Sequence, residues 1–480
     1  MFVNANQYKT AKSDAEMIQA AIDEAARFGK SVVVSSHNER TGKDVWEIDS
    51  ALVLRAGTII ILQNCHLRLA DGAVCNMFTN SLAQSETIIP AMEWERGIHI
   101  LGIGNAILDG GNHNQMYENN GIARKVMKPS EHHITENCMM RFRYVTKMVI
   151  ENITVRNQRY WGIWFRAASF CRVSGIHFET DGNIPNQDGV DLSKGCHDFI
   201  VENITGRIGD DSVAINVTDN EIYHDTYENK RDGDVYNVTI RNIMTCSTSG
   251  CGMIRLLNHD GYRIYNIRID NVMEISPWSD SDKVLATNPD LIIKTDDDGN
   301  LLPFEKLNLG DEGYRMEAAI RIGESYWYAH SKAQHGDTYG ISVSNVMTHS
   351  RFGISINNTL QDATFDNIRV FGNGHMAAYM GEGTVENVKF SNIHFDKTAK
   401  PHPDDEHIYV EWNQTRSDGF HAVGFNKTNL KNVTFDGVEL NGDGMEAVFC
   451  GNGCGTIGYS RIRAGEARLS ALEGVKLEER

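Results

Sequence analysis

Three observations predict an all-β chain folded as a single-stranded parallel β-helix, a solenoid, with an N-terminal capping helix. The first is a recurring phrase of alternating apolar residues around a central Asn or Gly. It reads VIENITV at Asn152, CRVSGIHF at Gly175, FIVENITG at Asn203, NVTIRNIM at Asn242 and YRIYNIRI at Asn266, then ISVSNVM at Asn345, ATFDNIRV at Asn367, VKFSNIHF at Asn392 and VTFDGVEL at Gly437. Successive anchors lie 23, 28, 39, 24, 79, 22, 25 and 45 residues apart, so the unit is near 22 to 25 with insertions between some copies. The second is that each copy holds strand-length alternation and too few further residues for a crossover helix, so parallel strands must coil onto one another. The third is composition: 43 glycines and 8 prolines in 480 residues suit many tight turns and no Pro-rich linker.

The elements follow in chain order. KSDAEMIQAAIDEAARFGK carries a capping box at Ser13 and Glu16, an apolar stripe of Ala15, Ile18, Ala21, Ile22 and Ala25, and a helix-ending Gly29. A helix there covers the open end of the stack, whose edge strands would otherwise face solvent. GTIIILQNCHLRLADGA and GIHILGIGNAILDGGN extend the strand pattern back towards residue 45. The expected organisation is one domain over 1–480, with a cap region at 1–44, rungs at 45–440 and a C-terminal cap or tail at 441–480. Insertions at about 110–140, 273–318 and 399–430 exceed ordinary turns and are expected to wall a groove or mediate assembly. The last stretch, GEARLSALEGVKLEER, reads as a short helix or a loose tail.

Charge and cysteine usage bound the partners. With 46 basic against 64 acidic side chains, the net charge of -18 opposes binding to nucleic acid and to anionic membranes. A polyanionic substrate would need a local Arg or Lys cluster. The nine cysteines are odd in number and lack the spacing of a zinc ribbon or a redox pair, so free, mostly buried thiols are expected. The first ten residues have no positively charged and apolar leader, and no apolar run reaches membrane-spanning length. A cytoplasmic protein is therefore expected. The Asn-x-Thr triplets at Asn152, Asn203, Asn216, Asn237 and Asn432 are explained by the strand phrase better than by glycosylation.

The chemistry concentrates between residues 183 and 216. Asp188 precedes Asp211 by 23 residues, one repeat, which places the two on neighbouring rungs of one face, and Asp210 adjoins Asp211 at a turn after Gly209. A single Asp at such a bend ordinarily caps a turn. Three together cannot all ionise cheaply, so the group should retain a proton beside ionised bases. That combination suits glycosidic bond cleavage, one carboxylic acid protonating the leaving oxygen while others activate water. A calcium site, with Asp191 contributing, is the alternative, and would point to a metal-assisted lyase.

These residues resemble the polygalacturonase-like enzymes of glycoside hydrolase family 28. The family pattern Asn-Thr-Asp-Gly, followed one coil later by Gly-Asp-Asp, reads here as Asn186-Gln187-Asp188-Gly189 and Gly209-Asp210-Asp211. The order of features, from IQAAIDEA through IGNAILDGG to the rungs, agrees to about residue 400. The resemblance implies a right-handed β-helix and an inverting hydrolase without a cofactor or metal. In it Asp210 is the general acid, and Asp188 and Asp211 position and deprotonate water. Adjacent rungs set these groups closer than the roughly 6.5–9.5 Å usual between the carboxylates of inverting enzymes.

Two positions depart from the family. Its Gly-His-Gly appears as Gly250-Cys251-Gly252, and its Arg-Ile-Lys as Arg321-Ile322-Gly323. Both groups help bind substrate in the family, so the resemblance implies that plain polygalacturonate is a poor substrate here and that another sugar is expected. Arg321 keeps the matching position, and a guanidinium can grip a carboxylate or two hydroxyls. Arg255 and His259 are candidate replacements for the missing groups, each also readable as a turn or core residue. Asn186 belongs to the motif, and Trp161, from RYWGIWF about one repeat before Asp188, is the aromatic chosen for the groove over Trp164, Tyr326, Trp327 and Tyr328.

The expected function is hydrolysis of a pectin-derived or related oligosaccharide, exo-acting because the expected compartment implies imported short substrates. The partner is an oligosaccharide or polysaccharide, and whether the chain forms a homo-oligomer stays open. Two rivals share the fold: a calcium-dependent polysaccharide lyase, and a non-catalytic carbohydrate-binding β-helix that would not need the three acids.

Overall fold

The computed structural model describes residues 2–85, 87–112, 114, 133–180, 186–217, 227, 229–247, 252–258, 261–275, 318–323, 333–350, 352–371, 376–396, 420–442 and 445–480. They fall into two compact units, one holding the described residues up to Val213 together with Tyr227, the other holding those from Ala214 to Val217 and from Asn229 onward. Most of the three long insertions lies outside the described residues.

The first unit is a coil of parallel strands that builds three ladders. One ladder runs from Phe2–Asn4 to Ser31–Val34, Ile59–Gln63, His99–Ile103, Val149–Arg156, Ile163–Glu179 and His197–Ile208. In register along it stand Val32, Ile60, Ile100, Ile150, Val173 and Val201, all fully buried. Each coil therefore adds one branched apolar side chain to the same core column, as the repeat requires. A second ladder joins Trp46–Ile48, His66–Leu69, Ile107–Asp109 and the end of Val149–Arg156. The third joins Leu52–Leu54, Phe78–Asn80, Met140–Thr146, the start of Ile163–Glu179, and Val190–Ser193. Met140–Thr146 and Val190–Ser193 are buried on both faces, unlike the half-exposed strands of the first ladder.

The helix Asp14–Phe28 forms as its caps predict. The Ser13 side chain accepts from the Glu16 amide, and Gly29 adopts a left-handed φ of 61°. Its apolar stripe is buried. Gln19 pairs with the open edge of Leu52–Leu54, accepting from the Val53 amide at 2.8 Å and donating to the Val53 carbonyl at 3.2 Å. Asp14, 1% exposed, meets Arg40 at 2.7 Å and accepts from the Glu47 amide. The helix thus satisfies edge groups that a stack of strands leaves bare.

In the second unit one ladder runs through Val235–Ser247, Ile264–Glu274, Thr338–Thr348, Leu360–Phe371, Gly383–Asp396, Phe420–Asn441, Met445–Arg463 and Arg468–Glu479. Another runs through Gly252–Asn258, Ala318–Gly323, Phe352–Asn357 and Met376–Met380. The first of these two ladders has a core column that includes Phe365, Phe390 and Phe435, whose rings stack at 4.7 and 4.6 Å. The ladder continues past residue 440, so the helix or loose tail expected for GEARLSALEGVKLEER is corrected to the strand Arg468–Glu479. Leu469, Ala471, Val475 and Leu477 alternate, but Leu472, Gly474 and the charged residues among them blur the pattern and none is fully buried, so the neighbouring strand's free edge supplies the hydrogen bonds that decide it.

All nine anchors of the repeated phrase have positive φ: Asn152 60°, Gly175 67°, Asn203 57°, Asn242 57°, Asn266 55°, Asn345 58°, Asn367 54°, Asn392 54° and Gly437 81°. They are left-handed corners between ladders, which Asn and Gly tolerate best. Several also bond rung to rung, as Asn367 does to Asn345 at 2.8 Å and Asn271 to Asn242 at 2.9 Å. Asn367→Val is expected to cost roughly 1–2 kcal/mol from backbone strain, with the lost bond in addition, and Asn367→Gly less. Denaturation midpoints of the two variants check this order. Among the described residues no helix is long and apolar enough to cross a membrane. The eight described cysteines are free and mostly buried, as expected, and burial pushes the Cys65 and Cys171 thiols up to about 12.

Candidate active site

The acids stand where the chain enters strands of the third ladder. Met140 pairs with Ile163, and Ile163 with Val190. Stepping back two residues sets Cys138, Trp161 and Asp188 on successive coils, and the Gly189 amide donating to the Asp211 carbonyl at 2.9 Å adds Asp211. Asp188 and Asp211 are thus one coil apart on the same corner. Asp210 joins them: one carboxylate oxygen from each of the three lies within 4.8 Å of the others. Exposure is 4% at Asp188, 8% at Asp210 and 1% at Asp211, so the group sits in a largely dry recess.

Buried amides hold this corner. The Gln187 carbonyl accepts from the Gly209 and Asp210 amides at 3.1 and 3.2 Å, tying the Asp210 backbone to the preceding coil. The Gln158 side chain donates to the carbonyls of Gln187 and Asp188, the Gln187 side chain donates back to the Gln158 carbonyl at 2.7 Å, and Thr180 donates to Gln158 at 3.0 Å. Gln187 stands where the family pattern has Thr, and it braces the acids from within. The coils approach so closely that a Cβ on Gly189 would lie 2.4 Å from the Ser212 carbonyl oxygen, which only glycine avoids.

Trp161 is 8% exposed, stacks on Tyr160 at 5.1 Å and meets Trp164 edge-on at 5.3 Å. With Cys138 these rings form one apolar cluster beside the acids. Burial pushes the Cys138 thiol well above its usual range. Trp164 lies in register with Arg141 on one side and Asp191 on the other, and donates to Ser193 at 2.8 Å. Asp191 is fully buried. Asn186 is half-buried, with φ at 60°, and opens the turn that carries Asp188.

Arg255 and Arg321 belong to the second unit, where they face each other in register on neighbouring strands. Arg321 is 2% exposed. Gly323, at a φ of 78°, has room for no side chain, because a Cβ would meet the Asn358 Cβ at 2.5 Å. The backbone itself thus excludes the lysine of the family pattern. His259, Cys251, Tyr326, Trp327 and Tyr328 lie outside the described residues.

Residues 92–229 match the family model for glycosyl hydrolases family 28. The matched stretch contains Asn186, Asp188, Asp210, Asp211 and Trp161, and ends before Arg255 and Arg321. No curated protein sequence matches the chain. Among solved structures, the family 28 exopolygalacturonase of Yersinia enterocolitica is similar at 14% identity and a TM-score of 0.51, over 99% of this chain and 77% of that one. The exopolygalacturonase of Thermotoga maritima is similar at 12% identity and a TM-score of 0.40, over 100% and 92%. The surface adhesin PfbA of Streptococcus pneumoniae is similar at 11% identity and a TM-score of 0.48, over 100% and 97%. The right-handed parallel β-helix and the resemblance to family 28 expected from the sequence are borne out.

Proposed function

We propose that this chain is an inverting, exo-acting hydrolase of a pectin-derived or related oligosaccharide, with plain polygalacturonate a poor substrate. The observation that carries the reading is the convergence of Asp188, Asp210 and Asp211 within 4.8 Å in a recess where all three are nearly buried. Asp210 donates its proton to the departing glycosidic oxygen as the bond to the anomeric carbon breaks. Water held between Asp188 and Asp211 attacks that carbon and gives its proton to one of them. The wide carboxylate spacing of inverting enzymes applies where one base faces one acid across the sugar. The three oxygens here lie closer than that, so inversion requires Asp210 and the two bases to address opposite sides of the anomeric carbon, and the product's anomeric configuration decides it.

Exo action is supported by the low exposure of the acids, since a cleft open to a passing polymer would leave them wetter. Poor use of polygalacturonate is supported by Gly323, whose backbone admits no lysine. The test is proton NMR of the first-formed product from whichever oligosaccharide the purified protein cleaves. Inverted anomeric configuration is expected; a retained anomer would overturn the mechanism. Efficient release of galacturonate from unmodified polygalacturonate would overturn the substrate reading.

The same three oxygens are also a chemically reasonable set for a hard divalent cation, which favours a calcium-assisted lyase as the second reading. Activity abolished by chelator and restored by calcium, with an ultraviolet-absorbing unsaturated product, would select it.

A further inference from the structure

Along the first ladder of the second unit, side chains that face away from the core form straight columns, and one of these columns changes character along its length. Taken in register, it runs Met244, Met273 and Met347, then Arg369, His394 and Glu439. Each methionine directly follows a buried core residue, Ile243, Val272 or Val346, so the alternation of the strand turns the thioethers outwards. Met244 is 40% exposed, Met347 is 39% exposed, and Met273 between them is half-buried. Single exposed apolar residues are ordinary on a protein surface. Three on successive coils, in a column that otherwise carries charge, are not.

The spacing of this column follows from a second one on the same three coils. Tyr236, Tyr265 and Tyr339 stack with ring centroids 5.0 and 5.1 Å apart and planes 7° and 2° from parallel. These coils therefore run parallel, one strand spacing apart, with no offset between them. A metal–sulfur bond is about 2.3 Å, so two sulfurs on one ion stand at most about 4.6 Å apart, close to that spacing. Methionine has three rotatable bonds, which lets Met244 and Met347 lean towards Met273.

The donor type names the ion. Thioether sulfur is soft and uncharged, suited to copper(I) and unsuited to calcium or magnesium, which take oxygen. The Glu274 carboxylate, on the residue after Met273, is held by the Thr348 hydroxyl at 2.6 Å, so negative charge stands beside the column. Arg369, next in line, ends the run with a like charge that confines a cation to the three methionines. The net charge of -18 favours a cation at long range as well.

We infer that Met244, Met273 and Met347 form a surface site for one soft monovalent cation, copper(I), held by the three thioethers with Met273 in the middle. The site lies wholly within the second unit and does not depend on the hydrolase reading.

The experiment titrates copper(I), anaerobically and against bicinchoninate as a competing chelator, into the whole chain labelled with carbon-13 at the methionine methyls. Cys454 is exposed and would itself take copper(I), so the measurements use a Cys454→Ser background. One equivalent is expected to shift three methyl resonances, those that disappear in Met244→Leu, Met273→Leu and Met347→Leu, and no others. Met273→Leu should weaken binding at least about 10-fold and leave the circular dichroism spectrum unchanged, because Leu replaces Met at nearly constant volume. Affinity should be equal at about pH 5.5 and about pH 7.5, since a thioether takes no proton in that range, whereas His and Cys ligands release protons on binding and weaken in acid. Copper(I) uptake that leaves the three resonances unmoved, or unchanged affinity in Met273→Leu, would overturn the inference. So would a loss of affinity in acid, which would put the ion on His394 or a thiol, and so would an equal response to zinc(II).

Discussion

Asp210→Asn should lower turnover by about 10²–10⁴-fold, the range of a general acid's contribution, without altering the fold. Asn keeps the shape of the side chain and loses the transferable proton. The backbone at this residue is held by the Gln187 carbonyl, a bond that Asn retains. Asp188→Asn and Asp211→Asn should each cost a comparable factor, and a double variant little more, because water activation and proton donation belong to one displacement. Turnover of the three variants, with circular dichroism spectra to confirm the fold, checks the expectation. Near-normal turnover in Asp210→Asn would remove Asp210 from the role of acid. Wild-type activity measured in chelator separates the hydrolase from the calcium-dependent reading.

The largest stability effect expected is from Phe390→Ala, about 3–5 kcal/mol. Phe390 is fully buried between Phe365 and Phe435, in register with both and stacked on each at under 5 Å. Its neighbours are anchored by their own ladders and cannot collapse into the space, so the cavity term adds to the lost transfer energy. In a stack where each coil supports the next, the loss should appear as a lowered denaturation midpoint. Faster amide exchange should accompany it in Leu360–Phe371 and Phe420–Asn441. Phe170→Ser is the contrast: that ring is 59% exposed, and its replacement should move the midpoint little. Equal effects of the two substitutions would contradict the core column described for the second unit.

The repeat was legible because each coil repeats the same local problem. A corner that needs positive φ selects Asn or Gly, and a strand with one buried face selects alternation, so Asn152, Asn203 and Asn367 announce their own geometry. The capping helix was legible for the same reason, since Ser13, Glu16 and Gly29 act within a few residues of themselves. The last strand was not, because Arg468–Glu479 is a strand through its pairing with Met445–Arg463. The Arg141–Arg143 alternation in MRFRYV places two guanidiniums on one strand face. Their depth is invisible in the sequence.

By itself, the sequence determined the coiled architecture, the cap and the neighbourhood of Asp188 and Asp211, because all three follow from spacing along one chain and a period of about one coil. The tertiary structure alone decided how near Asp210 comes to both, that Gln158, Gln187 and Thr180 brace them, that Gly323 has no room for a side chain, and that Arg141 is buried. Each of these depends on the distance and contents of a neighbouring coil, and so on side-chain directions and burial that a repeat length does not encode.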